Sequence, residues 1–346
     1  MSKLSKRYPQ HVPVLLPQVL EVLGLQAEIG AGAGADHTIV DCTLGLGGHA
    51  MAILERMRPG GRLIGIDLDA SNLETARANL AKVRTKATFD LFQTNFAGVQ
   101  SVLAKAGIED GRVDGVFADV GIASTQIDDP NRGFSYRRPG PLDMRMDPTR
   151  GQPASALLAR LSEQEIAAAL LDLGDETDAP LIAQLIVQRR ASRPIETTQD
   201  LMAIVCEARR FTIERAAGAK LHPAARTFQA IRILVNRELA NLDRLLALLP
   251  EILKPGGVGA IISFHSGEDR RVKYAFRDGF RDNIYSAENR DPIIADADEK
   301  KANPRSRSAK LRWARRALDL NAPAPVATAT PAPPVKSASR PRTKHR

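Results

Sequence analysis

Cysteine and long apolar runs are both scarce in this chain. Its 346 residues include two cysteines, Cys42 and Cys206. That is too few for a disulfide framework or a cysteine metal site, and it points to a reduced compartment. No apolar run reaches the roughly 18 residues of a membrane-spanning helix. The basic start, 1–7, lacks the apolar stretch of a signal peptide. No His, Cys, Asp or Glu cluster at ligand spacing argues for a metal, and no internal repeat is visible. These absences lead to a cytoplasmic protein with no membrane partner. Acids are missing from one region altogether. Residues 320–346 are rich in Ala and Pro and carry Lys336, Arg340, Arg342, Lys344 and Arg346 without a carboxylate. Such a stretch cannot bury a core, so 319–346 reads as a disordered basic tail, either a solubilising extension or an RNA-touching arm.

What is present bounds the rest. With 43% hydrophobic residues the chain can bury a core of one large or two modest domains. The net charge of +9 favours a polyanionic partner. Five of those nine charges sit in the tail, so the folded part is only mildly basic.

One stretch organises the chain: Asp41-Cys42-Thr43-Leu44-Gly45-Leu46-Gly47-Gly48-His49. The apolar run 38–40 before it reads as a short buried strand, and Ala50 to Met57 after it as helix. Glycines at a strand-to-helix turn permit positive φ and a close backbone approach to a ligand. The helix start adds free N–H donors and a partial positive charge. A second strand, Arg62 to Asp67, ends in an acid 19 residues past Gly48. A carboxylate there can accept hydrogen bonds from ribose hydroxyls. Gly45-x-Gly47-x-x-Ala50 also fits the dinucleotide fingerprint, which is weak alone; its bland alternative is a glycine-rich turn beside a surface Asp.

Strand and helix then alternate. His11 to Leu25 suits a short amphipathic helix, Asp69 to Val83 a helix, Ala87 to Gln93 a strand, Phe96 to Ala106 a helix, and Val113 to Asp119 a fourth strand. Apolar strands in such alternation argue for a parallel sheet covered on both faces. From 125 to about 220 the spacing predicts no strong strand. It predicts a Gly/Pro/Arg-rich loop, 128–150, and helices over Pro153 to Arg160, Ser162 to Leu173, Ala179 to Arg190 and Thr198 to Arg209. Ser162 and Glu165 form a capping box, and Thr198 is placed to cap the last helix. The expected organisation is α/β, with a sheet domain at 9–124 and 221–318 interrupted by an all-helical insertion at 125–220. In the second part, Pro223 to Leu249 reads as one long helix and Lys254-Pro-Gly-Gly as a turn. Val258 to Phe264 reads as a fifth strand and Glu268 to Phe280 as a helix. Pro292 to Ala295 and Lys310 to Ala314 read as two final strands.

Several runs are distinctive. They are Phe117-Ala-Asp119-Val-Gly-Ile-Ala-Ser124, Asn131-Arg-Gly-Phe-Ser135, Gly140-Pro-Leu-Asp-Met-Arg-Met-Asp147, His222-Pro-Ala-Ala-Arg226-Thr-Phe228-Gln229-Ala-Ile-Arg232, Ile262-Ser-Phe-His265-Ser266 and Asn303-Pro-Arg305-Ser-Arg307-Ser-Ala-Lys-Leu-Arg312. Together they closely resemble the ribosomal RNA small subunit methyltransferase H family, also called MraW. The resemblance covers about residues 9 to 318. It implies a class I methyltransferase fold, S-adenosyl-L-methionine as cofactor, and N4-methylation of a cytidine in the decoding region of 16S rRNA in the small subunit. It implies cofactor contacts from Gly47, Gly48, His49, Asp67, Phe96, Asp119 and Gln126. It departs from the family at Ala123, Thr125 and Gly267, which stand where the family usually has Ser, Pro and Leu. It leaves open whether the protein is a homodimer.

Two roles are open to Asp119. It can accept a hydrogen bond from the reacting amine, as a catalytic group, or bind the cofactor's methionine amine. Phe96 covers an adenine face or is ordinary core. His265 ends the fifth strand and either meets the base or is structural. Phe134, Tyr136, Arg137 and Arg138 suit stacking on an extruded base and pairing with phosphates; the alternative is a solvated loop with one buried aromatic. Two other readings compete: an NAD-dependent oxidoreductase, against which stands the lack of a Tyr-x-x-x-Lys pair after the sheet, and a non-catalytic RNA-binding assembly factor.

Overall fold

The computed structural model describes residues 12–25, 37–212, 215 and 222–318. The basic tail, residues before 12, the small-residue loop after Leu25 and residues 216–220 lie outside the described part. The helix expected near the start is α1, Leu16–Val22.

Five short apolar segments form the parallel heart of the sheet. They are β1 (Thr38–Asp41), β2 (Arg62–Asp67), β3 (Thr88–Gln93), β4 (Val113–Asp119) and β5 (Leu253–Ser263). Three C-terminal strands follow: β6 (Tyr285–Glu288), β7 (Ile293–Ile294) and β8 (Lys310–Arg316). The order across the sheet is β3-β2-β1-β4-β5-β8-β6, with β7 also on β8. β8 runs antiparallel to β5, with Ala260 opposite Trp313, and β6 and β7 run antiparallel to β8. The chain reverses direction outward from β1 on either side. That places the carboxyl ends of β1 and β4 at the switch point where ligands bind on such sheets. This is the class I methyltransferase arrangement.

Helices cover both faces. On one side α1, α2 (Gly48–Arg56) and α3 (Ala70–Leu80) bury Leu16, Val19, Ile53, Leu54 and Leu80 against Ile39 and Leu63. On the other, α4 (Val99–Lys105), α11 (Glu238–Ile252) and α12 (Ser266–Arg281) bury Leu103, Leu242, Leu249 and Phe276 against Val40, Ile64 and Val116. Between β4 and β5 lies a helical lobe with its own core. Its helices are α6 (Ala154–Arg160), α7 (Glu163–Gly174), α8 (Ala179–Ser192) and α9 (Thr198–Ala208), joined by α10 (Ala225–Asn236). A five-residue helix, α5 (Ser124–Asp128), leads into it, and α13 (Ala297–Ala302) lies before β8. The Ser162–Glu165 box is formed: the Ser162 hydroxyl accepts from the Glu165 amide at 3.2 Å and Glu165 accepts from the Ser162 amide at 2.7 Å.

Four local expectations change. The single long helix of 223–249 is two helices, α10 and α11, broken at Arg237, whose φ is +52°. One apolar repeat there serves two cores. Phe228 and Ile231 pack into the helical lobe, while Leu242, Leu245 and Leu249 pack on the sheet. A straight helix could not face both. Lys254-Pro-Gly-Gly is part of β5 rather than a turn. The strand starts at Leu253, and its register against β4 shifts between Val113 and Gly115. That irregularity absorbs the proline and the positive φ of Gly256. Thr197, not Thr198, caps α9, accepting from the Asp200 amide at 3.1 Å. Thr198 instead donates to the Arg138 carbonyl at 2.9 Å. Finally β6, too short and polar to show a pattern, is an additional strand.

Candidate functional site

The glycine turn after β1 and the acid at the end of β2 meet. Gly45 and Gly47 both adopt positive φ, +51° and +84°, and Gly47 is the residue preceding α2. The Asp67 carboxylate ties this turn down. It accepts from the Gly45 amide at 2.7 Å, from the Asp69 amide at 2.8 Å and from the Asn72 side chain at 3.3 Å. Burial pushes the Asp67 carboxyl up, and the Asp69 and Gly45 amides oppose that. Gly48 has a different constraint: a Cβ there would lie 2.8 Å from the Pro13 ring. Residues 12–15 thus press on the turn as a roof, held by Asn303 Nδ2 on the Val12 carbonyl and Glu299 on the Leu15 amide.

This turn is one wall of a cavity of about 740 Å³. Gly48, His49, Asp67, Phe96, Asp119, Gln126 and His265 all line it, so the structure brings together most of the residues singled out in the sequence. Gly47 shapes the turn behind them. Gln126 does so from a buried position. Its Nε2 donates to Asp69 at 3.0 Å and its Oε1 accepts from the Ala123 amide at 3.2 Å.

Asp119 ends β4 in the middle of the cavity. Its amide donates to the Thr43 hydroxyl at 2.6 Å, fixing the strand end. Its side chain is 21% exposed, and Oδ1 has no hydrogen-bond partner among the described residues. Burial raises the Asp119 pKa to about 8, with the charges of Asp41 and Glu268 adding to the effect. The Asp41 carboxyl, 1% exposed, is itself raised to about 7 by burial, against the Thr43 amide and with help from Asp67. Carboxylates this close to neutrality are poised to ionise when a cation arrives beside them. His49 contributes more than backbone. Its Nε2 lies 2.9 Å from the Val14 carbonyl, which can only accept. The proton therefore sits on Nε2, and in the neutral ring Nδ1 faces Asp119 unprotonated, 3.8 Å from Oδ2.

The opposite wall comes from residues that sequence reasoning left without a part in the site, or missed. Gln229, Arg232 and Asn236 on α10, Glu238 and Asn241 on α11, and Glu268 on α12 line it. Arg232 makes a two-pronged pair with Glu238, both contacts at 2.8 Å. Burial would lower the Arg232 pKa, but the charge and hydrogen bonds of Glu238, with the charge of Glu268, hold it above its ordinary value. His265 Nε2 lies 3.0 Å from Glu268 Oε1. Glu268 also accepts from the Phe264 amide at 2.8 Å, which seats it under the end of β5. The His265-x-x-Glu268 spacing was the available signal for this group; Gln229 and Arg232 stood in a run resembling the family without a role in the site, and nothing local marked the pairing of Arg232 with Glu238.

The loop residues expected to hold a base are elsewhere. Phe134 is 8% exposed and packs in the core of the helical lobe. Tyr136 stacks on His222 at 4.3 Å and meets Phe228 edge-on at 5.6 Å. An aromatic on a loop above an apolar core gains more by burial there than in water. Arg137 lies over Tyr136, and Arg138 binds the Asp128 carbonyl. Arg137 and Arg138 are exposed, and none of the four lines the cavity. Arg132 is an internal tie: it donates to Asp69 at 2.6 Å and to the Met146 carbonyl at 2.8 Å. Among the described residues no group of three or more His, Cys, Asp or Glu side chains is placed to hold a metal ion.

A parallel sheet with a glycine turn, a half-buried acid at the next strand end and a carboxylate with one open oxygen between them fits a class I methyltransferase with a nucleoside-bearing cofactor. The family model of the MraW methylase family matches residues 8–317. The chain is 43% identical over 313 residues to a ribosomal RNA small subunit methyltransferase H of Sorangium cellulosum, covering 89% of this chain and 95% of that one. It is 43% identical over 317 residues to the protein so named in Symbiobacterium thermophilum, covering 87% and 95%. It is 39% identical over 336 residues to that of Fusobacterium nucleatum, covering 92% and 100%. The chain belongs to the MraW methylase family, and its cofactor is S-adenosyl-L-methionine. The residues present fit that cofactor. Asp67 and Asn72 suit the ribose, Phe96 the adenine face, and the raised carboxylate of Asp119 the cationic end, all four lining the cavity.

Proposed function

We propose that the protein methylates N4 of a cytidine in the decoding region of 16S rRNA, acting in the cytoplasm on the assembled small subunit. The observation that carries this reading is Asp119 Oδ1, a buried acceptor atom with no hydrogen-bond partner among the described residues, on a side chain that lines the cavity. When bound, S-adenosyl-L-methionine supplies a methyl group on a positively charged sulfur. The protein's own residues do the rest by positioning. An exocyclic amine has its lone pair drawn into the ring and must lose a proton as it gains a methyl group. A carboxylate accepting from N4–H favours both. The Thr43 hydroxyl fixes where Asp119 begins, and the His49 ring, held by Val14, fixes what stands beside it. A paired cytosine has N4 engaged, so the base enters the cavity unpaired. The helical lobe adjoins the cavity through Met146 and α10, and we assign it, with the loop 128–150, to holding the folded RNA around that base. Family membership supports this reading over an oxidoreductase or a non-catalytic assembly factor. Labelled S-adenosyl-L-methionine incubated with purified small subunits tests it: one methyl group per subunit, recovered as N4-methylated cytidine on nucleoside digestion, is expected. Label in another nucleoside, or none, overturns it.

A further inference from the structure

The cavity is longer than its cofactor wall. From β2 to β5 the sheet edge carries Asp67, Thr43, Asp119 and His265 in that order. Three strand spacings at about 4.8 Å put roughly 14 Å between the first and the last. Asp119 stands near the middle. Glu268 lines the cavity with Asp119 and Arg232 and is close enough for its charge to act on both. The wall there is a single polar stripe. Gln229, Arg232 and Asn236 stand at i, i+3 and i+7 on α10, on one face of the helix.

The donors of that stripe can be accounted for one by one. Asn236 Nδ2 is taken by the Met144 and Arg232 carbonyls, and its Oδ1 by the Met146 amide. Asn241 Nδ2 is taken by the Asn236 carbonyl. Arg232 Nε and Nη2 are taken by Glu238. Two donor groups remain without a partner among the described residues: Nη1 of Arg232 and the carboxamide of Gln229, one helical turn earlier. Neither is sealed off from the cavity. Glu238 grips one edge of a planar guanidinium, so the free edge has a fixed direction.

We infer that Gln229 and Arg232 form the acceptor-base site, donating to the ring nitrogen N3 and the carbonyl O2 of cytosine while Asp119 takes N4–H. This rests on the methyltransferase reading above. Cytosine presents an amine, an acceptor nitrogen and an acceptor oxygen in a row. Uracil lacks the amine and has N3–H. Adenine has the amine and an acceptor nitrogen but a C–H in the third place. One acceptor on the protein followed by two donors therefore selects cytosine by its pairing edge, and selects it only when that edge is free. The site also explains the elbow at Arg237. The break places α10 against the helical lobe while leaving Gln229 and Arg232 on the cavity side.

The test compares Gln229→Ala, Gln229→Glu and Arg232→Lys with the wild type, using whole small subunits as acceptor and calorimetry for S-adenosyl-L-methionine. Losing one donor to the base lowers kcat/KM for subunits about 10- to 100-fold. Cofactor Kd stays within about twofold, since neither residue is on the cofactor wall. Gln229→Glu replaces a donor with a charged acceptor facing acceptor atoms, so it is slower than Gln229→Ala; a packing role alone would make the near-isosteric Glu the milder change. Should Arg232→Lys fail to fold for want of its pair with Glu238, the order of the two Gln229 variants still decides. Gln229→Glu as active as wild type, or a loss in cofactor affinity equal to the loss in turnover, overturns the inference. Wild-type enzyme that leaves subunits unmethylated refutes the activity itself, a different result.

Discussion

The two walls of the cavity are built differently. The cofactor wall is local and largely backbone. Between Asp41 and Asn72 one strand, one turn, one helix and the next strand end supply Gly45, Gly48, His49 and Asp67, and Asp67 closes the unit by accepting from Gly45. The far wall is assembled from side chains of α10, α11 and α12, held by pairs such as Arg232–Glu238 and by Asn236 reaching back to Met144 and Met146. A ligand common to many enzymes is met by a turn; a particular base is met by a tertiary arrangement. The contrast implies that damage on one wall leaves the other's ligand bound, and that Asp119, between them, affects the reaction most.

Asp119→Asn is therefore the strongest single change. It keeps shape and removes the acceptor charge, and turnover is expected to fall about 100-fold or more in single-turnover assays on small subunits. If cofactor affinity falls by as much, Asp119 belongs to the cofactor wall and the division moves. Asp67→Ala comes next. It removes the carboxylate that shapes the turn and that we assign to the ribose, so cofactor binding weakens by roughly 1.5–3 kcal/mol while affinity for subunits holds. Equal cofactor titrations in variant and wild type would remove Asp67 from the site.

A smaller effect is the pH dependence of cofactor affinity. In the free enzyme Asp119 titrates near 8, raised by burial and by Asp41 and Glu268. A cation beside it lowers that value in the complex, so binding expels a proton between the two pKa values. Affinity accordingly rises with pH up to about 8, by at most tenfold per unit, and levels off above. Asp119→Asn flattens most of the rise. Calorimetry in buffers of different ionisation heat reads the expelled proton, and an affinity that falls from neutral pH toward 8 contradicts the assignment. Smallest is salt: raising it reduces turnover on subunits, through screened phosphate contacts, and leaves cofactor Kd nearly constant.

What the sequence showed follows the same division. Parallel strands and the glycine turn were legible because each is a short-range constraint: Gly45 and Gly47 need positive φ, and Asp67 sits at a fixed distance along the chain. The elbow at Arg237 was hidden because Phe228 through Leu249 keep one helical period across two cores. The pair of Arg232 with Glu238 joins two helices across that elbow, so residue spacing along one helix did not show it. Phe134 and Tyr136 misled because an aromatic beside arginines reads alike whether it faces RNA or, as here, a helical core and His222. The family resemblance supplied the cofactor and the reaction, and the matched motifs carried it further along the chain than residue spacing alone could.

The proposed placement of a methyl donor on one side of Asp119 and a cytosine on the other must leave a mark on the ribosome. Mass spectrometry of small-subunit rRNA from cells with and without this gene reads it directly. The expected result is one cytidine in the decoding region lighter by a single methyl group when the gene is absent, restored by the wild-type protein and not by Asp119→Asn. Identical decoding-region cytidines in the two strains would contradict the account, whatever the cofactor titrations show.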